Sequence, residues 1–75
     1  MKELIEYIAK TIADHPDDVV VTETEEEDRV VIRLEVDSDD KGKIIGRQGR
    51  VVQAMRTLLR VAAVKRGAYV TLEIP

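Results

Sequence analysis

Hydrophobic residues recur along the chain at two periods, and the period switches wherever glycine, proline or a run of charge intervenes. Leu4, Ile5, Ile8 and Ile12 stand at helical spacing with Lys2, Glu3, Glu6 and Lys10 on the other side. This predicts an amphipathic helix over 2–14, with Tyr7 at its contact with a sheet. Pro16 stops the helix, and the residue before a proline avoids helical geometry, so His15 is expected at the break as a helix-end or surface residue rather than a catalytic one. The run Val19 to Thr24 is rich in β-branched residues, and Arg29 to Val36 alternate with Val30, Ile32, Leu34 and Val36 inward. Together they predict a hairpin whose connection, Glu25 to Asp28, is a solvated turn.

Ser38 or Asp39 is expected to cap a short helix running toward Ile45, where Gly46 breaks the pattern. A longer helix follows from Arg50 to about Lys65 and stops at Gly67. Ala68, Val70, Leu72 and Ile74 then alternate inward against Tyr69, Thr71 and Glu73 as a last strand. The order is α-β-β-α-α-β. A crossover as long as the two central helices suits parallel strands of one sheet. The expected fold is therefore α+β, with a three-stranded mixed sheet and helices packed on one face, in one domain over 1–75.

Composition narrows what such a domain does. A chain of 75 residues with no cysteine and one histidine excludes disulfides and Cys/His zinc sites, so stability must come from aliphatic packing, helped by self-association. Charged residues interrupt the first residues, Met1 to Glu6, which excludes a secretory signal there and makes a cytoplasmic protein the expectation. The net charge of −3 conceals a segregation. Residues 1–40 hold fourteen acids against four bases, whereas 41–75 hold eight bases against one acid. Either the two halves pair with each other in the fold, or the basic half faces an anion.

The candidate chemistry lies in the stretch Lys43, Ile44, Ile45, Gly46, Arg47, Gln48, Gly49, Arg50, Val51, Val52. Two glycines flank two polar residues directly before a helix, where unpaired N–H groups and a partial positive charge suit phosphate. Lys41, Lys43, Arg47, Arg50 and Arg56 surround the loop with cations. A lone Gly-x-x-Gly also occurs at plain helix joints; the cations and the helix start give this one its direction.

The segment Ile44-Ile45-Gly46-Arg47-Gln48-Gly49, with Arg50 and Val52, resembles the core motif of KH domains, and the element order matches their type II, bacterial version. His15 to Val19, Asp40 to Gly49 and Arg56-Thr57-Leu58 extend the similarity over the whole chain to the small single-domain bacterial KH proteins of the KhpA family. The resemblance implies an RNA-binding protein without cofactor or metal, acting as an RNA chaperone or post-transcriptional regulator. It further implies a homodimer, pairing with a larger KH protein of the KhpB type, and a link to cell-envelope and cell-length control. A KH loop clamps the backbone of about four nucleotides. On this chain Gly46 and Gly49 would admit phosphates, Lys43, Arg47 and Arg50 would supply charge, and Gln48 would donate hydrogen bonds. Ile44, Ile45 and Val52 are candidates either for an apolar wall under the bases or for the core.

Only two aromatic residues, Tyr7 and Tyr69, are present, too few for the stacking platforms of RRM and OB folds. Phosphate charge and base-edge hydrogen bonds are left as the means of recognition. On the long helix, apolar residues from Val61 through Leu58 and Met55 to Ala63 fill an arc of roughly 200° at about 100° per residue. One sheet does not cover that arc. The excess either meets the first helix or forms a dimer interface, through Leu58 and Val61 at one edge or Leu59 and Ala63 at the other. Arg50, Gln53, Arg56, Thr57 and Arg60 make the polar remainder, a stripe able to extend a phosphate track.

An enzyme fails on inventory, since one serine, one histidine and no cysteine provide no nucleophile paired with a base. Neither the P-loop nor the dinucleotide glycine pattern is present, and no small-molecule substrate or membrane partner is expected. The competing reading is a protein-interaction or ribosome-associated assembly module with little RNA affinity of its own. It accounts for the acidic half and the wide apolar arc, but not for cations around a glycine loop.

Overall fold

In the computed structural model, which describes all 75 residues, helix α1 spans Lys2–Ile12. Two strands, β1 (Val20–Glu26) and β2 (Arg29–Glu35), pair antiparallel from Val20 opposite Glu35 to Glu26 opposite Arg29. The turn is thus the two residues Glu27 and Asp28, and Glu25 and Glu26 belong to the ladder rather than to the expected four-residue connection. Helices α2 (Lys41–Ile45) and α3 (Arg50–Arg66) cross over to β3 (Tyr69–Glu73), which lies parallel to β2. The strand order is β1-β2-β3. This is the α-β-β-α-α-β order and the mixed sheet that the periodicity predicts.

The inward residues of all three strands meet the helices on one face. Ile5 and Ala9 of α1, Val21 of β1, Val30, Ile32 and Leu34 of β2, Leu72 of β3, Ile44 of α2 and Val52, Met55 and Leu59 of α3 form one buried cluster. Each of these side chains larger than Ala9 contributes roughly 1.5–3 kcal/mol of transfer free energy. The outer face of the sheet keeps Thr22, Arg33, Glu35 and Tyr69 in solvent. Tyr7 is 73% exposed, so it stands on the solvent side of α1 and not at the sheet; Ala9, small enough to sit under the helix, takes the buried position beside Ile5.

Helix α1 ends at Ile12 because Ala13 is extended, with ψ 141°. The next two N–H groups, of Asp14 and His15, donate to Asp40 Oδ1 and Oδ2 at 3.0 and 2.9 Å. Asp40, fully buried, is also the N-cap residue of α2, yet its side chain does not cap that helix. It reaches back to the end of α1 instead. Ser38 and Asp39, expected as caps, lie in the preceding turn, where Asp39 N–H donates to Asp37 Oδ1 at 2.8 Å. At its far end α3 closes with Ala68 N–H on Ala63 O and Gly67 N–H on Val64 O, the paired bonds of a Schellman stop.

The wide apolar arc of α3 is only half used. Val52, Met55, Leu59 and Ala63 are buried, whereas Leu58 is 46% and Val61 56% exposed. Helix α1 packs on β1 and α2, so it leaves that strip uncovered. Leu59 and Ala63 belong to the core and drop out as a dimer edge; Leu58 and Val61 are the edge that remains.

Candidate nucleic-acid interface

The loop is built from backbone conformations that side chains rarely adopt. Gly46 ends α2 at φ 79°, ψ 168°, Gln48 stands at φ 58°, ψ 25°, and Gly49, the N-cap residue of α3, at φ 73°, ψ 16°. A left-handed Gly49 followed by a right-handed Arg50 turns successive N–H groups to one side, a concavity that suits anions. No side chain caps the start of α3 or of the turn Arg47–Gly49 before it. The positive end of a 17-residue helix therefore opens on the loop.

The two glycines have different reasons. A Cβ built on Gly46 would strike Val51, lying 2.8 Å from its Cβ and 2.9 Å from its N, besides a closer approach to Cγ2. At Gly49 the nearest atom, Val52 Cγ1, would be 3.9 Å away. Gly46 makes room for the protein itself, and Gly49 is the glycine whose open side is free for a ligand.

Of the other expected contact residues, Ile45, Arg47, Gln48, Arg50 and Gln53 are exposed and Arg56 is half-buried. Ile44 has no exposed surface and Val52 only 7%. Both belong to the core, because α2 and α3 turn those positions onto each other and the sheet; Ile45, at 38%, is the one apolar residue of the three that a base can reach. Lys43 is engaged: its Nζ donates to Asp14 Oδ2 at 2.6 Å. That bond, against some burial, raises the ammonium above its ordinary pKa. Burial works to raise the Asp40 carboxyl, but the two N–H donors from Asp14 and His15, with His15 and Lys43 nearby, hold it below the ordinary range. These two links brace α2, and the loop with it, against the end of α1.

The halves of the chain do not neutralise each other. Only Lys43 with Asp14 and Arg66 with Glu25 pair a base of the second half with an acid of the first. Lys41, Arg47, Arg50, Arg56 and Arg60 make no ion pair. The acidic turn sits at the other end of α3, where Glu25 meets Arg66 and Asp28 O accepts from Tyr69 N–H. Seventeen helical residues span about 25 Å, some three Debye lengths in physiological salt. An anion at the loop is screened from that turn.

Beyond the loop, a groove of about 290 Å³ runs between α3 and β3, lined by Arg56, Leu59, Arg60, Val70, Thr71 and Leu72. Because β3 is an edge strand, the backbone of Val70 and Leu72 faces away from β2 into it, and Arg56 Nη2 donates to Leu72 O at 3.4 Å. The β3 wall was not among the expected site residues. It depends on strand order, which one sequence does not reveal.

The family model described as KhpA/KhpB, KH domain, matches residues 2–74. The chain belongs to the KhpA/KhpB KH-domain family. It is 46% identical to the RNA-binding protein KhpA of Clostridium perfringens over 74 residues, 99% of each chain. The RNA-binding protein KhpA of Aquifex aeolicus is 47% identical, covering 99% of this chain and 94% of its own, and that of Listeria monocytogenes 42%, covering 99% and 97%. No solved structure matches significantly. The KhpA/KhpB KH domain is no enzyme family, in keeping with the side-chain inventory, and no helix here is long and apolar enough to cross a membrane.

Proposed function

We propose that this chain binds single-stranded RNA, with the backbone of about four nucleotides at the loop Gly46 to Gly49 and the bases along the groove between α3 and β3. The observation that carries the reading is the uncapped start of α3, open beside Gly49 and ringed by cations that no carboxylate holds. Arg47 and Arg50 meet phosphates, Gln48 donates from the loop tip, and Arg56, Arg60 and Gln53 continue the track. Ile45 gives the bases an apolar contact, and the free edge of β3 offers backbone donors and acceptors to their edges. The relatives named RNA-binding proteins support the same assignment. With no aromatic platform in the groove, affinity per domain is weak and sequence preference modest, which suits an RNA chaperone or post-transcriptional regulator.

Pairing would supply the missing strength by holding two sites together. The exposed strip Leu58, Val61 and Val64 lies on the outward side of α3, leaving Arg56 and Arg60 on the flank. It fits a homodimer, or a heterodimer with a larger KH protein of the KhpB type. In sedimentation the pure protein is expected as a dimer that Leu58→Glu with Val61→Glu converts to a folded monomer. A wild-type monomer at high concentration would remove this interface.

Contacts to three or four phosphates give log affinity a slope of about −2 to −3 against log salt, at about 0.7 per phosphate for single strands. Titrating a labelled RNA oligomer at several salt concentrations measures that slope. The same exposed strip on α3 favours a protein-interaction module as the second reading, and a flat salt response would select it.

A further inference from the structure

The polar side chains of the groove between α3 and β3 are almost all donors, and we infer that it selects bases with two adjacent acceptors on one edge, guanine or cytosine, read by Arg56. This rests on the RNA reading above and adds to it which bases the groove takes. Leu59 and Leu72 are buried and form, with half-buried Val70, an apolar floor for the flat face of a base. Arg56 and Arg60 bring guanidinium N–H groups and no acceptor, and neither makes an ion pair. No carboxylate or amide side chain lines the groove, so the Thr71 hydroxyl is its one side-chain acceptor. At about 290 Å³ the groove stands at the lower end of small-ligand pockets, about 300–1,000 Å³, a size that suits a base or two.

Arg56 differs from the other unpaired cations in being held. It is half-buried, and its Nη2 donates to Leu72 O at 3.4 Å, which seats the guanidinium against the edge of β3 and leaves its other N–H groups for a ligand. The long stem is ordered before a ligand arrives, so less conformational freedom is lost on binding. The same contact occupies the Leu72 carbonyl and takes one backbone acceptor from the groove. A planar fork of donors matches two acceptors side by side. Guanine presents O6 and N7 in that way, and cytosine presents O2 and N3 with its amino group on the far side. Adenine has no such pair, because its N6 amino group adjoins both N7 and N1, and uracil interposes N3–H between its two carbonyls. Either base brings an N–H group to a wall of donors, and a donor left without an acceptor in a desolvated place weakens binding. Arg60, exposed one turn further along the same flank, serves phosphate and carries no such preference.

The test is fluorescence anisotropy of the full chain with labelled RNAs of about eight nucleotides, twice the span that a KH loop clamps. One is all uridine; the others carry cytidine, guanosine or adenosine at two adjacent central positions. Cytidine and guanosine are expected to tighten binding about five- to tenfold over all-uridine, and adenosine to leave it unchanged. Replacing the guanosines by 7-deazaguanosine, which lacks the N7 acceptor, should return affinity to the uridine level with the protein untouched. Arg56→Lys, which keeps the charge and loses the fork, should bind all-uridine RNA within about twofold of the wild type, while the cytidine and guanosine gains vanish; thermal melting shows that the variant is folded. Equal affinities across the oligomers, gains that survive 7-deazaguanosine, or gains that survive Arg56→Lys would overturn the base reading and leave the RNA interface standing. If no oligomer binds, the interface itself fails and the base reading with it, a result distinct from binding without preference.

Discussion

Arg47→Asp combined with Gln48→Asp is expected to lower affinity for single-stranded RNA by about a hundredfold or more, since two charge-assisted contacts at about 1.5–3 kcal/mol each are replaced by repulsion. The fold should be unaffected. Both side chains are exposed and neither makes a hydrogen bond or an ion pair within the protein. Position 48 has φ 58°, and aspartate is among the few residues enriched in that left-handed region, so the loop keeps its shape. Fluorescence anisotropy with a labelled RNA, beside thermal melting of the same sample, separates the two effects. Retained affinity with an unchanged melting curve would remove the loop from the interface, whatever became of the groove.

That this variant can be designed at all reflects what local pattern reveals. Alternation in Arg29 to Val36 and Ala68 to Ile74, and helical spacing before Pro16 and after Gly49, each specify one element without reference to the rest. Gly46, Arg47, Gln48 and Gly49 are contiguous, so the loop is legible as a unit. Properties that depend on distant segments are not. Helix α1 stops short of Asp14 because Asp40, far along the chain, captures two N–H groups that a helix would have used. Nothing near Asp14 announces this. Ile44 and Ile45 are equivalent as letters, and only the crossing of α2 over α3 puts one in the core and the other at the surface. The groove needs β3 on the edge, which follows from β1 occupying the other side of β2.

The apolar strip on α3 and its basic flank illustrate the same division. The wheel shows an arc too wide for one sheet, but which half the sheet takes depends on the roll of the helix. Burial of Val52, Met55, Leu59 and Ala63 sets that roll: it turns the Arg56–Arg60 side toward β3, where Arg56 Nη2 donates to Leu72 O, and leaves Leu58 and Val61 outward. One helix thereby carries a basic flank beside the proposed RNA groove and an apolar crest on another side, so the proposed pairing need not occlude the groove.

The second large effect concerns Gly46. Its φ 79° and ψ 168° fall in a region essentially restricted to glycine, where another residue costs about 1–3 kcal/mol, and a new Cβ would press into Val51 of the first turn of α3, adding about 1–3 kcal/mol of overpacking. Gly46→Ala should therefore lower the melting temperature by at least about 10 °C and weaken RNA binding as the helix start shifts. Gly49→Ala carries only the left-handed cost of about 1–2 kcal/mol, since its Cβ meets nothing closer than 3.9 Å. It should melt nearer to wild type while losing RNA affinity out of proportion, because the methyl group projects into the space assigned to phosphate. Comparable melting losses in the two variants would show that Val51 yields to the new Cβ, and full RNA affinity in Gly49→Ala would place the phosphates elsewhere than at the opening of α3.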